Sequence, residues 1–354
     1  MEISAERYVD LIVEFLEEVK YSDLENPNSE TEENLRHLFR ETMAHFEPPH
    51  VRGASINRQL TSIVRTITRM TVFGWGNLPR DVMVPLNIYF TYVILEDDPG
   101  GDPFLGNSRL MESFVGDFLG GREQLHPRFR SLFAFFPELL RCYGQFSQIT
   151  MLKSTLELIQ SFWLERQQFQ GFPGASDYPT FLRRLGGLGD FSGAALFPAA
   201  QFGEGRHFED IVTVIAQIEP VVALVNDLFS FYKEANGPEK DICLVRNVCL
   251  VDGLDTEQVL RQVADDSASA VRKLTDVLAR PQSEAVLKTV NDFVRGYIRW
   301  HLCDERYRMK ELSTRCGNRS SNAVKFRRFH EIACHAGCID LVDFHAPELH
   351  GRAI

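Results

Sequence analysis

The sequence predicts an all-α fold, and three observations carry that expectation. Apolar residues recur with a period near 3.6, as in Val9, Ile12, Val13, Leu16 and Val19. No stretch of useful length alternates apolar and polar residues as a half-buried strand does. Two apolar runs, Met83–Leu95 and Ile215–Val225, read as helices with little solvated face. No internal repeat or low-complexity tail divides the chain, so residues 1–354 read as a single domain of long apolar helices around a central cavity.

Taken in order, helices are expected at 4–20, 33–47 and 56–74, with Asn26–Glu32 as a polar connector and Glu47–His50 as a break. Leu78-Pro79 opens the next helix, because proline suits a first helical turn. That helix should end at Asp98, since Pro99 disfavours helical backbone in the residue before it. Pro85 should kink it or reset its start. Helices follow at 107–121, 132–142 and 146–168, then a turn-rich loop at 171–179 and a short helix at 178–188 that runs into Gly186-Gly187-Leu188-Gly189. A long helix begins near Gly205 and is stopped by Asn236-Gly237-Pro238; helices at 256–280, 284–312 and 321–336 complete the chain.

Composition narrows the function. Hydrophobic residues are 44% and charged residues 25%, ordinary for a globular protein with a sizeable core. The net charge of −11 argues against nucleic acid or an anionic membrane surface as partner. No apolar run approaches the ~20 residues of a membrane span, and residues 1–21 form an acidic amphipathic helix rather than a signal peptide, so no membrane insertion is expected. Seven cysteines are an odd number and no complete disulfide framework, which suits a cytoplasmic protein with reduced thiols. Neither His301 with Cys303 nor Cys334–Cys338 supplies the paired spacing of a structural zinc site. Phenylalanine is abundant at 27 residues; core packing explains most of it, and a Phe-rich pocket also suits a carbocation.

The stretch Asn226 to Glu234 carries the chemistry. Asn226, Ser230 and Glu234 are spaced i, i+4, i+8 and project from one helix face, the outer pair about 12 Å apart along the axis. An amide carbonyl, a hydroxyl and a carboxylate are hard oxygen donors suited to Mg²⁺, and a single carboxylate leaves room for waters and a phosphate. Lys233 lies beside them as a phosphate contact. Alone, such a stripe also fits a solvated face. A second acidic cluster, Asp97-Asp98-Pro99-Gly100-Gly101-Asp102, turns the reading: it ends another apolar helix, where the dipole favours a cation. Two oxygen-rich ends of two apolar helices predict a multi-Mg²⁺ diphosphate clamp.

The chain here resembles the fungal class I sesquiterpene cyclases of the trichodiene synthase type. That family carries an aspartate-rich motif on one helix and (N/D)Dxx(S/T)xxxE on another, and Asn226–Glu234 fits the second without exception. The likeness extends through Phe172-Pro173-Gly174, Asp177-Tyr178-Pro179, Phe181–Leu185 and Trp300–Asp304. In the aspartate-rich motif the family usually has an acid four residues after the first aspartate; here Gly101 holds that place and Asp102 follows.

The resemblance implies a class I terpene synthase-like helical bundle, three Mg²⁺ ions, and ionisation of farnesyl diphosphate with release of diphosphate and cyclisation of the cation. Asp97, Asn226, Ser230 and Glu234 are then metal ligands, with Asp98 in support and Asp102 the weakest candidate. Arg183 is implied as the diphosphate sensor and Gly187 as the neighbouring helix break, while Arg306-Tyr307 matches a late pair that caps the diphosphate. A guanidinium is well shaped for bidentate phosphate contact. Phe90 and Ile94, two turns and one turn before Asp97, are expected to line the cavity, as are Tyr297 and Trp300 ahead of Arg306. A cyclase of geranylgeranyl diphosphate and a chain-elongating prenyltransferase stay open as alternatives, although the latter typically has two aspartate-rich motifs. A non-catalytic descendant of a cyclase is the third, and homodimerisation is left open.

Overall fold

The computed structural model describes residues 3–23, 29–48, 57–97, 109–236, 243–317 and 320–344. Among them the architecture is all-α, and the sole strand-like pairing is an isolated bridge between Tyr143 and Pro198.

Helix α1 (Ala5–Glu18) opens on Ser4, whose hydroxyl accepts from Arg7 N at 3.1 Å. Its predicted apolar face is buried. Helix α2 (Ser29–His45) begins four residues before the expected start of 33 and takes in part of the predicted connector. Glu30 and Glu32 lie in its first turn, where the helix dipole favours acids, so a polar stretch continues the helix. Helix α3 (Asn57–Gly74) is as expected. Helix α4 (Arg80–Asp97) runs through Pro85 without a break; the proline lies so near the N-terminus that little of the ladder precedes it, and it does not reset the start.

The expected 107–121 helix is two short ones, α5 (Arg109–Glu112) and α6 (Phe114–Leu119), parted at Ser113. Helix α7 (Pro127–Leu140) starts at its proline, earlier than the expected 132. Then come α8 (Gln145–Arg166) and α9 (Tyr178–Gly186). Leu188 adopts a left-handed backbone, φ 52°, and a new helix, α10 (Gly189–Ala194), starts there. A side chain on Gly189 would place its Cβ 2.4 Å from Glu219 Cα, so glycine lets α10 cross closely over the next helix.

That helix, α11 (Glu204–Ala235), is the axis of the fold. It is kinked at His207, continues through Pro220, and packs against α10, α13 (Thr256–Val277) and α14 (Glu284–Cys303). By length and composition it is apolar enough to cross a membrane, contrary to the sequence expectation that no stretch reaches that measure. Its burial among other helices is what a central core helix shows: Ile211, Val214, Ile218, Val221, Val225 and Leu228 are fully covered. Helix α12 (Leu244–Asp252) was not anticipated; it follows a proline-containing segment and is capped by Gly253 at φ 70°.

The expected 284–312 helix is interrupted. Helix α14 stops at Asp304, a 3₁₀ turn spans Glu305–Tyr307, and α15 (Met309–Cys316) follows. The cause is side-chain capping: Asp304 Oδ1 accepts from Arg306 N at 3.0 Å and ends the α-helical ladder. Helix α16 (Ser321–Ala336) matches expectation. All seven cysteines are free thiols.

Candidate active site

A cavity of about 220 Å³ opens where α4, α8, α9, α11, α12 and α14 converge. Its apolar wall includes Phe90, Ile94, Phe162, Trp75, Tyr297 and Trp300. Its polar end holds Arg183, Asn226, Asp227, Ser230, Lys233, Glu234, Arg306 and Tyr307, with Gly187 alongside. Thus sequence-separated residues predicted for one site do come together. Asp97 is the last residue of α4, but its side chain lies outside the described residues, as do Asp98 and Asp102 entirely.

The i, i+4, i+8 spacing holds because α11 is regular through the motif, so Asn226, Ser230 and Glu234 all border the cavity. Ser230 is 2% exposed, and its hydroxyl oxygen has no hydrogen-bond partner among the described residues. A buried hydroxyl left without a partner costs free energy. An oxygen donor held in reserve for a hard cation accounts for it, so these side chains fit Mg²⁺ by donor type. Among the described residues no group of three His, Cys, Asp or Glu side chains gathers as a metal site, and this set has one carboxylate.

Arg183 organises the anion-binding end. Its Nε donates to Asp227 Oδ2 at 2.8 Å, and Nη2 donates to Asn226 Oδ1 at 3.1 Å and Ala223 O at 3.2 Å. Burial alone would lower the guanidinium's pKa, but the Asp227 charge and hydrogen bond raise it, so it stays cationic. Asp227 is 6% exposed; burial pushes its carboxyl up to about 6, with Arg183 opposing and Glu234 adding to the rise. Sequence reading did not single out Asp227, although its place in the Asn-Asp pair was the signal.

Asn226 is held at both ends. Its Nδ2 lies 3.1 Å from His301 Nε2 and 3.2 Å from Tyr307 Oη. His301 Nδ1 lies 2.7 Å from Tyr297 O, a backbone carbonyl that can only accept. Burial holds this imidazole down to about 3, with the Arg183, Lys233 and Arg306 charges adding to the effect. It is therefore neutral, protonated on Nδ1, with Nε2 as acceptor. The sequence reading weighed His301 only as part of a zinc pair and a resembling stretch, and did not single out Asn247. Asn247 borders the cavity from α12, and its buried Oδ1 has no partner among the described residues.

The late Arg-Tyr pair is positioned by Asp304. This carboxylate accepts from Thr66 Oγ1 at 2.7 Å and Arg69 Nη1 at 3.0 Å, anchoring the 3₁₀ turn to α3. Tyr307 packs edge-on against Trp300, ring centroids 5.0 Å apart. Tyr297 Oη donates to Val222 O at 3.2 Å, and Ser161 Oγ donates to Leu158 O at 2.8 Å. These two of the cavity's hydroxyls are thereby oriented by backbone carbonyls. Chemically, the arrangement sets an anion-binding, metal-accepting end on an apolar chamber lined by π surfaces.

The chain matches the family described as trichodiene synthase over residues 2–352. It is similar to trichodiene synthase of Stachybotrys chartarum, 35% identical over 346 residues, covering 97% of this chain and 89% of that one. A terpene cyclase of Penicillium brasilianum is 37% identical over 344 residues, covering 96% and 83%. Among solved structures, linalool/nerolidol synthase of Streptomyces clavuligerus shares the fold at TM-score 0.57 and 13% identity, covering 79% of this chain and 99% of that one. The 2-methylisoborneol synthase of Streptomyces coelicolor, crystallised with Mg²⁺ and 2-fluorogeranyl diphosphate, aligns at TM-score 0.52 and 17% identity, covering 79% and 93%.

Proposed function

This chain belongs to the trichodiene synthase family and is a sesquiterpene cyclase, and we propose that it ionises farnesyl diphosphate in the cavity between α4 and α11 and cyclises the resulting cation there. The observation that carries this reading is the convergence of Asn226, Ser230 and Glu234 with Arg183 and Arg306 at one end of an apolar, aromatic-walled chamber. Asn226 Oδ1, Ser230 Oγ and Glu234, joined by Asp97 as the family resemblance implies, would hold Mg²⁺, three ions by the same resemblance; when bound, the metal offsets the charge that develops on the departing diphosphate.

The protein's own groups do the rest. Arg183, Lys233, Arg306 and Tyr307 supply donors to the diphosphate, and stabilise it most where negative charge builds as the carbon–oxygen bond breaks. Trp75, Phe90, Phe162, Tyr297 and Trp300 fold the chain and face the migrating positive charge.

Gas chromatography with mass spectrometry of extracts from purified protein, Mg²⁺ and farnesyl or geranylgeranyl diphosphate tests the reading. A cyclic fifteen-carbon product from farnesyl diphosphate supports it. Preference for geranylgeranyl diphosphate, or a longer linear product when isopentenyl diphosphate is added, replaces it with one of the alternatives.

A further inference from the structure

The motif that brings Asn226 to the cavity does not by itself decide which end of its carboxamide faces the cavity. The two ends differ only in O against NH₂, and a half-turn about the last side-chain bond exchanges them. A cation needs the oxygen; the amide nitrogen would repel it.

The surroundings break this near-symmetry. His301 is wholly buried between Tyr297, Trp300 and Tyr307, with ring centroids 4.5, 4.7 and 4.3 Å away. An apolar ring would fill that place without the desolvation that a buried imidazole carries. The imidazole adds a hydrogen-bond chain with one consistent direction. Tyr297 O can only accept, so His301 Nδ1 donates to it; Arg183 Nη2 can only donate and meets Asn226 Oδ1, so Nδ2–H faces His301 Nε2, which carries the lone pair. Turning the amide over would set donor against donor at Arg183 and acceptor against acceptor at His301.

We propose that His301 is a positioning residue: through the chain Tyr297 O, His301, Asn226 it keeps Asn226 Oδ1 turned towards the anion- and metal-binding end of the cavity. The inference rests on the reading of Asn226 as a metal ligand. His301 is not among the residues that line the cavity; it acts through Asn226.

The test titrates Mg²⁺ and inorganic diphosphate into the full-length protein by calorimetry. His301→Phe keeps a ring and removes the acceptor. It is expected to raise the Mg²⁺ needed for diphosphate binding about 10–100-fold, the usual cost of losing a residue that orients a metal ligand. Asn226→Asp provides the control, because the oxygens of a carboxylate are equivalent and need no orientation. In that background the His301→Phe penalty should shrink to under about twofold. Equal penalties in both backgrounds would mean that the imidazole merely packs, and would overturn the proposal, as would unchanged Mg²⁺ demand in His301→Phe. Should His301→Phe fail to fold, ¹⁵N spectra of the histidine-labelled wild-type protein decide: a bare Nε2 and a protonated Nδ1 are expected at His301, and a protonated Nε2 overturns it. No Mg²⁺-dependent diphosphate binding by the wild-type protein would instead remove the metal reading itself.

Discussion

Arg183 and Asp227 form a 2.8 Å ion pair at the base of the cavity, and the same guanidinium hydrogen-bonds the carboxamide oxygen of Asn226, one residue earlier on the same helix. The residue implied by resemblance to sense the diphosphate is thus aimed by its own counter-ion. Asp227 sits on the turn that presents Asn226, so the position of the anion contact and that of the metal-ligand face are set together.

Asp227→Ala should therefore act on both stability and rate. It leaves Arg183, 21% exposed at the side chain, without its partner, and a loss of about 3 kcal/mol in urea denaturation is expected. Steady-state kinetics should show a lower kcat/KM for farnesyl diphosphate. Unchanged kinetics in the folded variant would mean that Arg183 holds its place without Asp227.

Asp304→Ala should loosen the 3₁₀ turn that presents Arg306 and Tyr307. Asp304 is fully buried at its side chain and pairs with Arg69 at 3.0 Å, so about 3–5 kcal/mol of stability should be lost. KM for farnesyl diphosphate should rise at temperatures where the variant is still folded. A destabilised variant with normal KM would separate the anchor from the site.

Acid should destabilise the fold through the partly buried His45. Burial lowers His45 to about 4 from an ordinary value of 6.5, while it lies 2.9 Å from Tyr92 Oη. The unfolded chain binds this proton more readily than the folded one. His45 thus contributes stability that is fully present above pH 6.5 and is lost as pH falls through 6.5 towards about 4. One such group gives a slope of up to about 1.4 kcal/mol per pH unit in that window. His45→Gln should flatten the urea-midpoint profile there; an unaltered slope would assign the acid sensitivity elsewhere.

Much of this is legible in the sequence. The periodicity located the long helices because burying one face leaves a 3.6-residue trace, and the spacing of Asn226, Ser230 and Glu234 is a helix-face statement that needs only a regular α11. What stayed hidden depends on partners far along the chain. Nothing local to His301 shows that its Nε2 meets Asn226, 75 positions away. The break after Cys303 carries no glycine or proline; it comes from an aspartate side chain capping a turn while also pairing with Thr66 and Arg69. Helix α12, nine residues long, follows a proline-containing segment and is too short for a long apolar stripe, so no local pattern marks it or Asn247.

Loss of either carboxylate expected to hold metal should remove most activity while leaving the fold intact. Asp97→Ala and Glu234→Ala should each lower kcat on the order of 100-fold, with circular dichroism unchanged. Asp102→Ala should be milder, since its position departs from the family spacing. A variant of Asp97 or Glu234 with near-normal turnover at low Mg²⁺ would strike that residue from the ligand set.

The central claim is that one face of α11, with Arg183, forms the diphosphate end of the cavity. Release of inorganic diphosphate from farnesyl diphosphate, followed against Mg²⁺ concentration in the wild-type protein and in Asn226→Ala and Ser230→Ala, tests it most directly. The account predicts Mg²⁺-dependent release by the wild-type protein and a marked rise in the Mg²⁺ required, or loss of release, in both variants. Wild-type Mg²⁺ dependence in both variants would contradict it.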